Sequence, residues 1–77
     1  MLNLAPLEKE YREIIAEAAG AQRPLAALVR EWSQIQREVQ DMAEAGGFEP
    51  EDAERMLDRL FADIDARLSQ LAGEVQG

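Results

Sequence analysis

Ser33 and Ser69 are the alcohol nucleophiles of a sequence that has no His, Cys or Thr. Neither serine has a histidine to take its proton, so nucleophilic catalysis of the triad type has no candidate. General acid–base work falls to Lys9 and the carboxylates, and the acidic residues read as solvated helix faces. Asp63-x-Asp65 and the Glu51, Glu54, Asp58 group come nearest to a hard-cation site, but an i,i+2 pair on a helix points in divergent directions. Without Cys or His, disulfides and the usual transition-metal ligand sets are excluded. No glycine-rich phosphate cradle follows a strand, because no strand is expected. The expectation is a non-enzymatic protein with no catalytic residue, no cofactor and no metal.

The helices that carry these side chains are more informative. Stepping three then four from Leu4 gives Leu4, Leu7, Tyr11, Ile14, Ala18, Ala21, Leu25, Leu28, Trp32, Ile35, Val39 and Met42. This is an a/d coiled-coil seam held over roughly six heptads. The adjacent e positions include Ile15, Val29 and Ala43, which widen the stripe beyond what a two-stranded coiled coil needs. A face of that width belongs in a bundle and touches two neighbours. The g-position residues Glu10, Glu17, Glu31 and Glu38 have no basic residue three or four places away, so their counter-charges must come from another helix. Lys9, Arg23, Arg30 and Arg37 line the outer back of the same stretch and read as a solvated face.

Gly20 and Pro24 interrupt the seam. Gly past a helix end and Pro at a helix start mark a break, yet the heptad phase runs straight through. Gln22 and Arg23 are poor N-caps for a new helix. The pattern favours one long helix over about 4–45, kinked where the Pro24 ring meets the Gly20 carbonyl, with a break at 20–24 as the alternative.

Gly46-Gly47 supplies a left-handed cap and a turn over 46–49, and Phe48 occupies the place of a hydrophobic staple. Pro50 then opens a second helix over about 50–74, with Glu51, Asp52 and Glu54 at the positive end of its dipole. Its apolar face reads Leu57, Leu60, Phe61, Ile64, Leu68, Leu71 and Val75, extended backward by Met56 and Ala53. Glu8 with Arg12, Glu51 with Arg55 and Asp63 with Arg67 are supporting i,i+4 pairs, and Arg55 and Arg59 are placed to answer the unpaired glutamates of the first helix.

At 1.5 Å per residue the first helix would run roughly 60 Å and the second roughly 40 Å, so the second cannot cover Leu4 to Ile15. The expected fold is all-α: one domain, an antiparallel helical hairpin with a long first helix, assembling as a homodimer into a four-helix bundle. The alternative is a monomeric three-helix bundle in which the N-terminal arm folds back at Gly20 to Pro24. A chain of 77 residues buries only a modest core, and association is the stabiliser left when disulfides and metals are absent.

A net charge of −8 opposes nucleic acid and anionic membranes as partners and favours a protein with a basic or apolar helical surface. No apolar run approaches the length of a membrane span, and Met1 to Leu4 lacks the features of a signal peptide, so a cytoplasmic protein is expected. The expected function is a small protein-binding module, an adaptor, chaperone or inhibitor, that packs an apolar helical face on its partner. Leu7, Tyr11, Ile14, Ile15, Ala18, Leu25, Leu28, Trp32 and Ile35 are the expected interface. The alternatives are a structural homodimer or assembly component, and an acidic decoy for a nucleic-acid-binding surface.

Overall fold

The first helix begins where an N-cap permits it: Asn3 Oδ1 accepts a hydrogen bond from the Ala5 N–H at 3.1 Å, and Pro6 sits in the first turn where no donor is needed. A computed structural model describes residues 3–76 of the chain, with side chains as far as Gly73; Met1 and Leu2 lie outside the described residues, as does the side chain of Val75. It contains three helices: α1 over Leu4–Ala19, α2 over Pro24–Glu44 and α3 over Pro50–Gln76.

The long kinked helix does not form, and the alternative does. The last turn of α1 tightens, with Gly20 N–H bonding Glu17 O at 3.1 Å and Ala21 N–H bonding Ala18 O at 3.2 Å. Arg23 then lies at φ −120° and ψ 76°, outside the helical region, and makes no side-chain cap. The physical reason is the proline's effect on its predecessor: the Pro24 ring crowds the Arg23 backbone and pushes it toward extended conformations. That constraint ends a helix, whereas the clash with the carbonyl four residues back only bends one. Pro24 occupies the opening turn of α2, where its fixed φ suits a helix start.

The turn after α2 follows the expected course. Gly46 has φ 82°, its N–H bonds Ala43 O at 3.0 Å, and the Gly47 N–H bonds Met42 O at 3.0 Å. These are the paired bonds of a Schellman cap, which requires the left-handed residue between them. Phe48, just before α3, is buried with Ala53 of its first turns, as a hydrophobic staple prescribes.

The helices run up, down and up. Leu7 and Tyr11 of α1 lie against Met42 and Glu38 of α2, so those two are antiparallel, and Trp32 with Phe61 and Ala43 with Pro50 make α2 and α3 antiparallel as well. Glu8 meets Arg59 while Ala16 and Gly20 lie beside Arg67 and Leu71, so α1 and α3 are parallel. The bundle measures 46 × 18 × 17 Å, its long dimension set by α3, whose 27 residues rise about 40 Å. The arm from Leu4 to Ile15 is thus covered by the chain's own α2 and α3, the solution that a single long helix could not reach.

Ile15, Leu28, Ile35, Val39, Met56 and Leu60 form the fully buried centre, and Tyr11, Ala18, Phe48, Ala53 and Ile64 complete it. Full burial of aliphatic side chains of this size contributes about 1.5–3 kcal/mol each. Among the described residues no buried side-chain polar atom lacks a hydrogen-bond partner. Of the twelve seam positions, the two that are exposed are Ala21 and Leu25, which flank the break. The seam is therefore two separate stripes, one per helix, that happen to share a frame.

Candidate protein-binding face

The expected interface residues divide three ways. Tyr11, Ile15, Ala18, Leu28 and Ile35 are buried in the chain's own core; Leu7, Ile14 and Trp32 are half-buried; Leu25 is exposed. The core-forming group is occupied within the bundle, so what remains accessible is built from the other two groups and from residues that the seam does not contain.

An accessible apolar surface is shared by α2 and α3. Leu25, Val29 and Phe61 are 55%, 62% and 51% exposed. Trp32 packs against Phe61, with ring centroids 5.7 Å apart and planes tilted by 45°. Such a pair adds about 0.5–1.5 kcal/mol beyond the area it buries and holds both rings in place. Together with Leu57 they floor an open groove whose edges are Gln36 on α2 and Glu54 and Asp58 on α3. On α2, Leu25, Val29, Trp32 and Gln36 fall at spacings of four, three and four, one uncharged stripe. On α3, Glu54, Asp58, Phe61 and Asp65 repeat the same spacing and form a stripe of three carboxylates around one ring.

Val29 was legible only as a widening of the seam, and Phe61 only as one more residue of the α3 core face. Each follows directly on a fully buried leucine, Leu28 and Leu60, so each is turned by about 100° from the core axis. In the three-helix bundle that turn leaves both exposed, with Phe61 lining the groove between α2 and α3.

A second, smaller groove runs between α1 and α2. Leu7, Ile14 and Met42 line it, with Glu10, Glu38 and Asp41 at its rim. The Tyr11 hydroxyl donates a hydrogen bond to Glu38 Oε2 at 3.1 Å across it. Burial, helped by that carboxylate, pushes the Tyr11 phenol up to about 12.

Charge is sorted between the faces. Arg59 on α3 reaches Glu8 on α1 at 2.7 Å, and Arg12 reaches the same carboxylate at 3.0 Å from the next turn. Hydrogen bonding from Arg59, reinforced by Arg12, holds the Glu8 carboxyl below the usual carboxylate range. Arg59 thus answers an e-position glutamate of α1 and not the g-position set, because α1 and α3 run parallel and place Glu8 at its level. Asp63 and Arg67 pair as expected at 3.2 Å, whereas Arg55 approaches Asp52 at 3.7 Å in place of Glu51. Among the described residues Glu54, Asp58 and Asp65 have no basic partner within 4.0 Å.

No group of three or more potential ligands gathers for a metal among the described residues, and no helix among them is long and apolar enough to cross a membrane. Compared with protein-family models, with curated proteins and with solved structures, the chain gives no significant match in any of the three. The functional reading therefore rests on the face itself.

Proposed function

We propose that this chain is a small non-enzymatic binding module, of the adaptor, chaperone or inhibitor kind, that receives a helix of a partner protein on the α2/α3 face. The observation that supports the reading is the exposure of Leu25, Val29 and Phe61 around a half-buried Trp32. Three large apolar side chains, each more than half exposed, leave on the order of 300 Å² of surface, within the range of the largest apolar patch on a typical monomer, which is often functional. An aromatic pair at the centre with a polar rim is the arrangement that concentrates binding energy at protein interfaces. A groove between two helices suits an amphipathic helix that presents its own i, i+3, i+4 and i+7 side chains.

A structural homodimer is the second reading. The α2 stripe Leu25, Val29, Trp32, Gln36 is uncharged, so two copies can cross there without apposing carboxylates. Its difficulty is area, since stable dimers bury roughly 800 Å² per partner.

The test uses the full chain and its Val29→Glu/Phe61→Glu variant as baits in the native host, with bound proteins quantified by mass spectrometry. Both positions are exposed, so the helical content of the variant should match the parent. The reading expects a defined prey that the parent retains and the variant loses by tenfold or more. Equal recovery by both baits would remove the α2/α3 face from the function.

A further inference from the structure

Resting on the reading of the α2/α3 face as a docking surface, we infer that its occupant is a basic amphipathic helix, whose apolar side chains seat on Trp32 and Phe61 while its Lys or Arg flank pairs with Glu54, Asp58 and Asp65. The argument is charge complementarity at a groove of defined polarity. The carboxylates of α3 are not spread evenly. Arg59 reaches across to Glu8 on α1 and Arg67 pairs with Asp63 within α3, whereas Glu54 and Asp58 edge the groove with no counter-charge among the described residues. Asp65, one further turn along, continues their line past Phe61.

Opposite them the α2 wall is uncharged through Leu25, Val29, Trp32 and Gln36. A helix lying in the groove therefore meets carboxylates along one flank and neutral side chains along the other. Basic residues on one flank, three or four apart, match that asymmetry; acidic ones are repelled by it. A second copy is the poorer occupant, because each carries a net charge of −8 and the patch is less than half the area that a stable dimer uses.

Trp32 is the single tryptophan of the chain and lies in the groove, so its emission reports occupancy directly. The probes are two synthetic 18-residue helical peptides without Trp, sharing one leucine stripe at i, i+3, i+4 and i+7. One carries Lys at the flanking positions and the other Glu. Expected is a blue shift of Trp32 emission with the Lys peptide, at an affinity about 100-fold above that for the Glu peptide and falling as salt rises.

Reversal of the groove charges by Glu54→Lys/Asp58→Lys, both exposed and unpaired, should weaken the Lys peptide about tenfold or more. Glu13→Lys/Glu17→Lys makes the same change of net charge on the exposed side of α1 and should weaken it less than about threefold, since screening removes contributions from beyond ~10 Å. Val29→Glu/Phe61→Glu adds carboxylates to the groove, so loss of Lys-peptide binding there isolates the apolar contribution.

Equal weakening by the α1 and α3 charge reversals would overturn the inference, because the attraction would then belong to the whole molecule. Equal binding of the Lys and Glu peptides, abolished by Val29→Glu/Phe61→Glu, overturns the basic occupant and leaves the docking face standing. Peptides that leave Trp32 unmoved, on a chain that instead sediments as a dimer until Val29→Glu is introduced, assign the face to a second copy and overturn the inference. Peptides that leave Trp32 unmoved on a chain that stays monomeric remove both the occupant and the face.

Discussion

Leu25 and Leu28 offer a direct test of the architecture, because they are the same residue type three positions apart on one helix and differ almost completely in burial. Leu28 is 1% exposed and Leu25 is 55% exposed. In the three-helix bundle, Leu28→Ala empties a space at the centre of the core and should cost about 3 kcal/mol, within the 2–5 kcal/mol range of buried leucine truncations. Leu25→Ala removes a side chain that has lost under half its contact with water, and alanine is the better helix former, so its cost should stay below about 1 kcal/mol. A domain of this size has roughly 4–12 kcal/mol to lose, and 1 kcal/mol moves its midpoint by about 4–8 °C.

Leu28→Ala should therefore lower the thermal midpoint by some 12–24 °C and Leu25→Ala by less than about 8 °C. Thermal unfolding followed by far-ultraviolet circular dichroism and by Trp32 emission, at two protein concentrations a hundredfold apart, measures both effects. A continuous seam shared with a second copy treats the two leucines alike and makes the midpoint rise with concentration. Equal losses for Leu25→Ala and Leu28→Ala, with a concentration-dependent midpoint, would refute the single-chain bundle.

Three further outcomes follow from local geometry. Gly46→Ala should cost about 1 kcal/mol in a urea titration although nothing lies within 4 Å of the added methyl, because the loss comes from the φ of 82°; Gly20→Ala, with an ordinary φ and its nearest neighbour Glu17 O at 3.7 Å, should be neutral or slightly stabilising. Tyr11 has a folded value of about 12 against roughly 10 unfolded, so its contribution is whole below pH ~10 and is lost as pH rises toward 12. Because the hydroxyl's partner Glu38 is exposed to solvent, the loss should be on the order of 1–2 kcal/mol, and stability of Tyr11→Phe measured from pH 9 to 11.5 should fall less steeply than that of the parent. Glu8 has its folded value lowered, so its contribution is present above the ordinary carboxylate value and disappears as pH falls through the lowered one; Glu8→Gln should flatten the acid limb of the stability profile by no more than about 1 kcal/mol, and an unchanged limb would show the Arg59 pair to be inert.

The parts of this fold legible in the residues are those set by local chemistry. The Asn3 cap, the Gly46 turn, the Phe48 staple and the Pro50 start each depend on one or two side chains and a fixed backbone requirement, and all four stand where composition puts them. At the break over 20–23, heptad phase and local sterics point in opposite directions. Heptad phase reports which face of each helix is apolar, and two helices can share a frame across a four-residue loop without being one helix; the steric demand of Pro24 on Arg23 is the local rule that decides. The groove was harder still. Val29 and Phe61 are apolar residues on the shoulders of apolar stripes, and whether a shoulder is inside or outside depends on how many helices surround it, which is a property of the assembled bundle.

The break also explains why the apolar surplus sits where it does. Folding α1 back covers Leu4, Leu7, Ile14 and Ile15 with α2 and α3, which removes the stretch that a hairpin leaves bare. The cost is paid at the fold point, where Ala21 and Leu25 swing out of the seam, and beside it, where Val29 has no third helix over it. On α2, Trp32 packs on Phe61 of α3, and Leu25 and Val29 continue its stripe toward the start of the helix. The same turn of α3 that brings Phe61 there brings Glu54, Asp58 and Asp65 with it, because the four share a helical stripe. Phe61 and the carboxylates Glu54, Asp58 and Asp65 thus share one stripe of α3, so the proposed partner, seated on that ring, would meet those charges as well.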